Sequence, residues 1–147
     1  TDPAADKNRD DAQQGDLRLS IGNFQGQPTA VLYRRVSGTK KPAVFSSGVV
    51  KSYAMDFVDV VRLENLKVKV NPGHSYLLEA AIPLTTLGLQ PAAGLTLRGD
   101  FGVTHGDRAG ARTRLRTHWA NQHTGLVDDA VFELRMQPTH WGELTFQ

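Results

Sequence analysis

The sequence predicts an all-β chain folded as an antiparallel β-sandwich of jelly-roll type. Three observations carry that expectation. Apolar and polar residues alternate with period two over several short stretches. Gly and Pro interrupt the chain too often for long helices. No extended stretch shows the 3.6-residue periodicity of an amphipathic helix.

Residues 1–15 are polar, acidic and unpatterned, and read as a loop or tail ahead of one sandwich domain over 16–147. Leu17, Leu19 and Ile21 then alternate with Asp16, Arg18 and Ser20 as a half-buried strand. Gly22 to Pro28 reads as a turn. Thr29 to Val36 is a strand with apolar residues on both parities, hence covered on both sides. Ser37 to Pro42 is a loop. Phe57 to Leu63 is a further strand. Leu66, Val68 and Val70 alternate with Lys67 and Lys69, which suits an edge strand. Asn71-Pro72-Gly73 is a turn, and Tyr76 to Ile82 a strand ended by Pro83. Leu84 to Leu89 reads as a short helical turn closed by Gly88. Leu95 to Thr104 reads as one long strand, with Leu95, Leu97, Phe101 and Val103 on one face and Arg98, Asp100 and Thr104 on the other. Arg112 to Trp119 is strand-like, Asn121 to Met136 is loop with one helical turn at most, and Gly142 to Phe146 is a closing strand.

Composition bounds the function. The 147 residues suffice for one domain with a real core. Hydrophobic residues at 39% and charged residues at 22% are globular values, with no apolar run long enough to span a bilayer. The opening lacks the apolar segment of a signal peptide, as a mature or processed chain would. With no cysteine, disulfide frameworks and thiolate metal or redox sites are excluded. A net charge of +2 is too small to argue for nucleic acid as partner.

Catalytic signatures are absent. There is no Gly-x-Ser-x-Gly elbow, phosphate-binding loop or His-Glu-x-x-His pair. Histidines at 74, 105, 118, 123 and 140 are read as polar loop residues. Glu79 and Asp100 are the one carboxylate pair with a glycosidase precedent. A structural ion pair of Glu79 with Arg98 is the preferred reading. Asp2, Asp6, Asp10, Asp11 and Asp16 offer hard oxygen ligands for a structural calcium, and Asp107 is a second candidate. The spacing of these residues does not match a calcium loop.

If residues 112–118 are extended, Arg112, Arg114, Arg116 and His118 form a basic ridge about 20 Å long. Two readings are open: a track for the hydroxyl or acidic groups of a polymer, or a solvated face paired with Glu79 or Asp100. In the first, acidic glycans should bind better than neutral ones, and salt should weaken them. Trp119 and Trp141 are the only tryptophans. Sugar sites place such rings against a pyranose face, but core packing is the preferred reading for both.

The segment Tyr76-Leu-Leu-Glu-Ala-Ala-Ile-Pro-Leu-Thr-Thr-Leu-Gly-Leu89 resembles the strand-and-turn signature of family 9 carbohydrate-binding modules and their DOMON-like relatives. Leu95 to Val103 resembles the strand that follows. His118-Trp-Ala-Asn121 and Trp141-Gly-Glu-Leu-Thr-Phe146 resemble the Trp-bearing and closing strands. The resemblance covers about half the chain, residues 76–147. It implies a non-catalytic module of a secreted or periplasmic protein that binds polysaccharide or oligosaccharide. It implies no required cofactor, no nucleic acid, no membrane insertion, and structural calcium in some members. Combined with the residue reading, it makes Glu79, Arg98, Asp100, Arg114, Arg116, Trp119 and Asn121 the expected ligand-binding set. The tryptophan clamp of sugar-binding members does not map onto Trp119 and Trp141, which sit at positions that are structural in the family pattern. Relatives carry further strands before the position of Asp16. The chain is therefore expected to be a fragment, a nicked chain, or one completed by a partner chain or the rest of a larger protein. Two alternatives stand beside sugar binding. One is a structural or assembly module that docks other chains. The other is a haem-binding electron-transfer domain with Met55, Met136 and a histidine as candidate axial ligands.

Overall fold

The computed structural model describes residues 5–35, 41–46, 51–55, 58–63, 67–70, 78–109, 112–122 and 136–147. The fold is all-β, and every strand pairing among these residues is antiparallel. Helical structure among them is confined to two short 3₁₀ turns, Leu84–Leu87 and Pro138–His140.

The longest hairpin joins β1 (Leu17–Phe24) to β2 (Gln27–Arg35). The expected turn over Gly22 to Pro28 is shorter than the sequence suggests. Gln25 and Gly26 alone make it, with φ of 51° and 78°. Two consecutive left-handed residues match the twist of the flanking strands, so pairing runs to the turn itself. Strand β5 (Val58–Leu63) takes the other edge of β2, opposite Ala30 to Arg35. Pro28, which has no N–H to donate, lies outside that stretch.

Strand β2 is central in the order β1-β2-β5, and it carries the core. Ala30 and Leu32 are fully buried on one face. On the other, the Tyr33 ring meets Phe45 of β3 (Ala43–Phe45) at 6.3 Å between centroids. The expectation of cover on both sides therefore agrees with the structure. Strand β3 pairs with β4 (Tyr53–Met55), an element the sequence reading did not mark.

Strand β6 (Lys67–Val70) pairs with β7 (Leu78–Ala81). All four β7 residues are exposed. A two-stranded ribbon has open faces unless another layer covers it. Pro83 ends the strand, and the Leu84–Leu87 turn closes at Gly88, whose φ is 67°. The Arg34 guanidinium donates to the Thr86 carbonyl and ties this turn to β2.

The expected single strand from Leu95 to Thr104 is two strands that exchange partners. Strand β8 (Thr96–Gly99) pairs with β11 (Gly142–Thr145). After Asp100 and Phe101 the chain continues as β9 (Gly102–Gly106), paired with β10 (Thr113–His118). Leu97 of β8 and Met136 are buried. The expected loop from Asn121 to Met136 lies mostly outside the described residues, as do Asp2, His74 and His123.

The segment ahead of β1 is a clasp, not a free tail. Asp16 is 1% exposed, and both of its oxygens accept from Arg9 Nη2, at 2.8 and 2.7 Å. Its Oδ2 also accepts from the Gln13 amide at 2.8 Å. Arg35 of β2 donates through its backbone N to Asp16 O and through Nε to Ala12 O. Thr139 donates to the Arg9 carbonyl at 2.7 Å, and the Arg9 guanidinium lies 5.8 Å from the Trp141 ring centroid. A run of polar residues is thus closed on itself by one buried ion pair and tied to β2, β8 and β11 through Arg35, Arg98 and Lys7–Glu143. Of the loop or tail expected over residues 1–15, the described part, residues 5–15, is a loop packed on the strands.

Candidate ligand face at the strand exchange

The partner exchange at Asp100–Phe101 brings together most of the chemistry the sequence singled out. Asp100 Oδ1 accepts from the Ala120 amide at 2.8 Å, and Oδ2 lies 2.8 Å from His118 Nδ1. A carboxylate in that position pins the turn after β10 to the bend between β8 and β9. It also fixes the imidazole so that its other nitrogen points away from the pair. Gly102 makes room for the ring, because a Cβ there would lie 2.8 Å from His118 Nδ1 and 2.7 Å from the Thr117 carbonyl.

Register sorts the β9–β10 ribbon into two faces. Gly106, Thr104 and Gly102 stand opposite Thr113, Arg116 and His118. His105 and Val103 stand opposite Leu115 and Thr117. One step further, Trp119 N donates to Phe101 O at 2.9 Å, which continues the second face. There the Phe101 and Trp119 rings stack, 5.2 Å between centroids and 7° from parallel. The second face is open, with Phe101 63%, Leu115 50% and Trp119 45% exposed. Phe101 and Val103 do share a face, as alternation predicts, but it is a solvent face rather than a core face. Trp119 is likewise not core.

Trp119 is nevertheless held firmly. A Cβ added at Gly142 of β11 would lie 2.6 Å from its Cζ3 and 2.7 Å from its Cη2. The benzo edge of the indole therefore rests on the Gly142 backbone while one side meets Phe101. The indole is thus pre-positioned by the β11 backbone and by its stack on Phe101, which lowers the entropy lost when a ligand covers it.

The expected basic ridge is broken. A register shift between Thr113 and Leu115 leaves Arg114 unpaired as a β-bulge. The bulge reverses the alternation, so Thr113, Arg116 and His118 share the half-buried face. The four cationic groups thus do not line up. Arg112 and Arg114 are exposed near the hairpin end, whereas Arg116 is half-buried and already partnered.

The other expected ligand residues divide. Arg98 donates to the carbonyls of Lys7 and Trp141, so it braces the clasp against β11. Asp100 is a structural anchor as described. Asn121 is buried and partnered. Glu79 lies on the β6–β7 ribbon opposite Lys69, on a different sheet from β8. The expected Glu79–Arg98 pair and the shared Glu79–Asp100 surface are therefore not formed.

Among the described calcium candidates, three carboxylates accept hydrogen bonds. Asp6 accepts from the Asn8 amide, Asp10 from Thr139, and Asp16 from Arg9. Asp107 sits in the β9–β10 turn, its amide bonded to the Arg112 carbonyl. Among the described residues no three acidic or histidine side chains group as a metal site. Across the clasp, Lys7 lies 2.9 Å from Glu143 and holds that carboxyl below its ordinary pKa. The sequence reading missed Phe101 as a surface residue and Gly142 as the seat of Trp119. Only the Trp141-Gly142 dipeptide hinted at the latter.

No family model, no curated protein and no solved structure matches the chain. No helix among the described residues is long and apolar enough to cross a membrane. Fold and site together define an antiparallel all-β protein with a braced aromatic pair on an open ribbon face.

Proposed function

We propose that this chain is a non-catalytic carbohydrate-binding module of a secreted or periplasmic protein, with a β-sandwich architecture. The observation that carries the reading is the exposed, braced Phe101–Trp119 stack. A pyranose ring has an apolar C–H face and a polar rim. An aromatic ring already fixed in place buries the former and leaves the latter free to hydrogen-bond. The Thr117 hydroxyl lies on the same ribbon face, and it supplies a donor and acceptor beside the stack. The segments that resemble family 9 modules, His118 to Asn121 and Trp141 to Phe146, meet at this place, which adds support.

The test is titration of an oligosaccharide panel into wild type and Trp119→Ala. Binding that Trp119→Ala weakens about tenfold or more, with an unchanged far-ultraviolet spectrum, supports the reading. A folded wild-type protein that binds no glycan overturns it. The apolar strip extends past the stack through Val103 and Leu115, further than one sugar ring needs. That extent favours, as second reading, a module that docks another protein chain on this face.

A further inference from the structure

Positive charge is concentrated in two stretches, residues 17–55, with six basic and no acidic residues, and the β9–β10 hairpin. Between Gly102 and Trp119 stand four of the 17 basic residues, Arg108, Arg112, Arg114 and Arg116, against one of the 15 acidic residues, Asp107. The remainder of the chain is therefore slightly acidic. Arg108 in the turn, Arg112 beside it and Arg114 in the bulge are all exposed. The bulge places Arg114 outside the cross-strand ladder, where bulges commonly re-aim a side chain. The hairpin is thus cationic at its tip and aromatic at its base, with Arg114 and Trp119 about 17 Å apart along the strand.

We infer that this hairpin binds an acidic polysaccharide, with Arg108, Arg112 and Arg114 taking carboxylate or sulfate groups while the Phe101–Trp119 stack takes a sugar ring. The inference rests on the sugar-binding reading and adds the ligand's charge class. Guanidinium forks suit planar carboxylates and sulfates, and several such contacts along one ribbon select a polymer over a monosaccharide. A lipid surface fits less well. A membrane-inserting hairpin leads with apolar residues, and here the arginines hold the tip while the Trp119 ring is braced against β11.

The experiment measures the full chain against polygalacturonate, a sulfated glycosaminoglycan and a neutral glucan, with wild type, Arg112→Ala/Arg114→Ala and Trp119→Ala. Wild type is expected to bind one of the acidic polymers at least tenfold tighter than the glucan, and the two acidic arms separate carboxylate from sulfate. The arginine double variant is expected to lose roughly tenfold on the acidic polymer and nothing on the glucan. Raising salt from about 0.05 to about 0.5 M should remove the preference. Equal, salt-insensitive binding of glucan and acidic polymer overturns the inference and leaves sugar binding intact. So does acidic binding that the double variant does not weaken. Anionic vesicles or single-stranded DNA bound as tightly as the acidic polymer also overturn it, since the hairpin would then be a general polyanion site. If no glycan binds, both readings fall.

Discussion

Replacing Arg9 with Met should destabilise the fold far more than the position of Arg9 near the start of the chain suggests. Arg9 and Asp16 side chains are 8% and 1% exposed. Asp16 accepts three hydrogen bonds, and two come from Arg9 Nη2. Arg9→Met leaves a buried carboxylate with the Gln13 amide as its remaining partner in the clasp. Breaking a buried ion pair from one side costs about 3–5 kcal/mol. For a chain of this length that is a fall in Tm of roughly 10–16 °C. Urea unfolding followed by tryptophan fluorescence measures it, and Trp141, which lies under the Arg9 guanidinium, reports locally. The double variant Arg9→Met/Asp16→Asn should recover at least half the loss, because Asn keeps an acceptor for the Gln13 amide without a buried charge. A loss below about 1 kcal/mol for Arg9→Met, the range of solvent-exposed pairs, would refute the clasp as a stabilising element.

Two further predictions concern the parts joined by that clasp. Gly142→Ala puts a methyl within 2.6–2.7 Å of the Trp119 ring, so the indole must swing off its seat and leave Phe101. Expected are a red-shifted tryptophan emission, weaker sugar binding, and a stability loss of about 1–3 kcal/mol; unchanged emission would show that Trp119 does not rest there. Lys7 lowers the Glu143 pKa first through its hydrogen bond and then through its charge. The contribution of the pair is therefore complete above the ordinary carboxyl value of 4.5 and fades as pH falls through the lower folded value. Lys7→Ala should return Glu143 to the ordinary value in a side-chain NMR titration, and added salt should do so in part.

How much of this was legible in the sequence depends on the range of the interactions involved. The all-β class, the β1 strand, the Pro83 stop and the turn closed by Gly88 follow from local preferences, and the structure has each of them, although Leu17 to Ile21 are uniformly half-buried and do not alternate. The β1–β2 turn was read too long, because Gln25 gives little sign that it will take a left-handed φ. The clasp was illegible for a different reason. Composition marks residues 5–15 as solvent-loving, and it does. A buried Arg–Asp pair looks the same as a solvated one until tertiary contacts with Arg35 and Thr139 exclude water from it.

At the site, alternation holds from Phe101 to Val103 and from Leu115 to Trp119 but fails across the bulge at Arg114. Phe101 and Val103 share a face, as do Leu115 and Trp119, but period two says which residues are together and not which face is inside. Three local events then decided the geometry. The strand exchanged partners at Asp100, the bulge at Arg114 reversed parity, and Gly142 supplied a surface without a side chain on which the indole rests. Each places one side chain at the expense of ladder regularity. Arg114 loses a cross-strand partner and gains exposure, Asp100 leaves the strand and anchors His118 and Ala120, and Trp119 is fixed while still open to solvent. A chain that only needed a core would turn Phe101 and Trp119 inward, since burying each recovers about 2–3 kcal/mol. Leaving both rings exposed, with Trp119 seated on Gly142, forgoes that gain, which is physically reasonable where a ligand restores the burial.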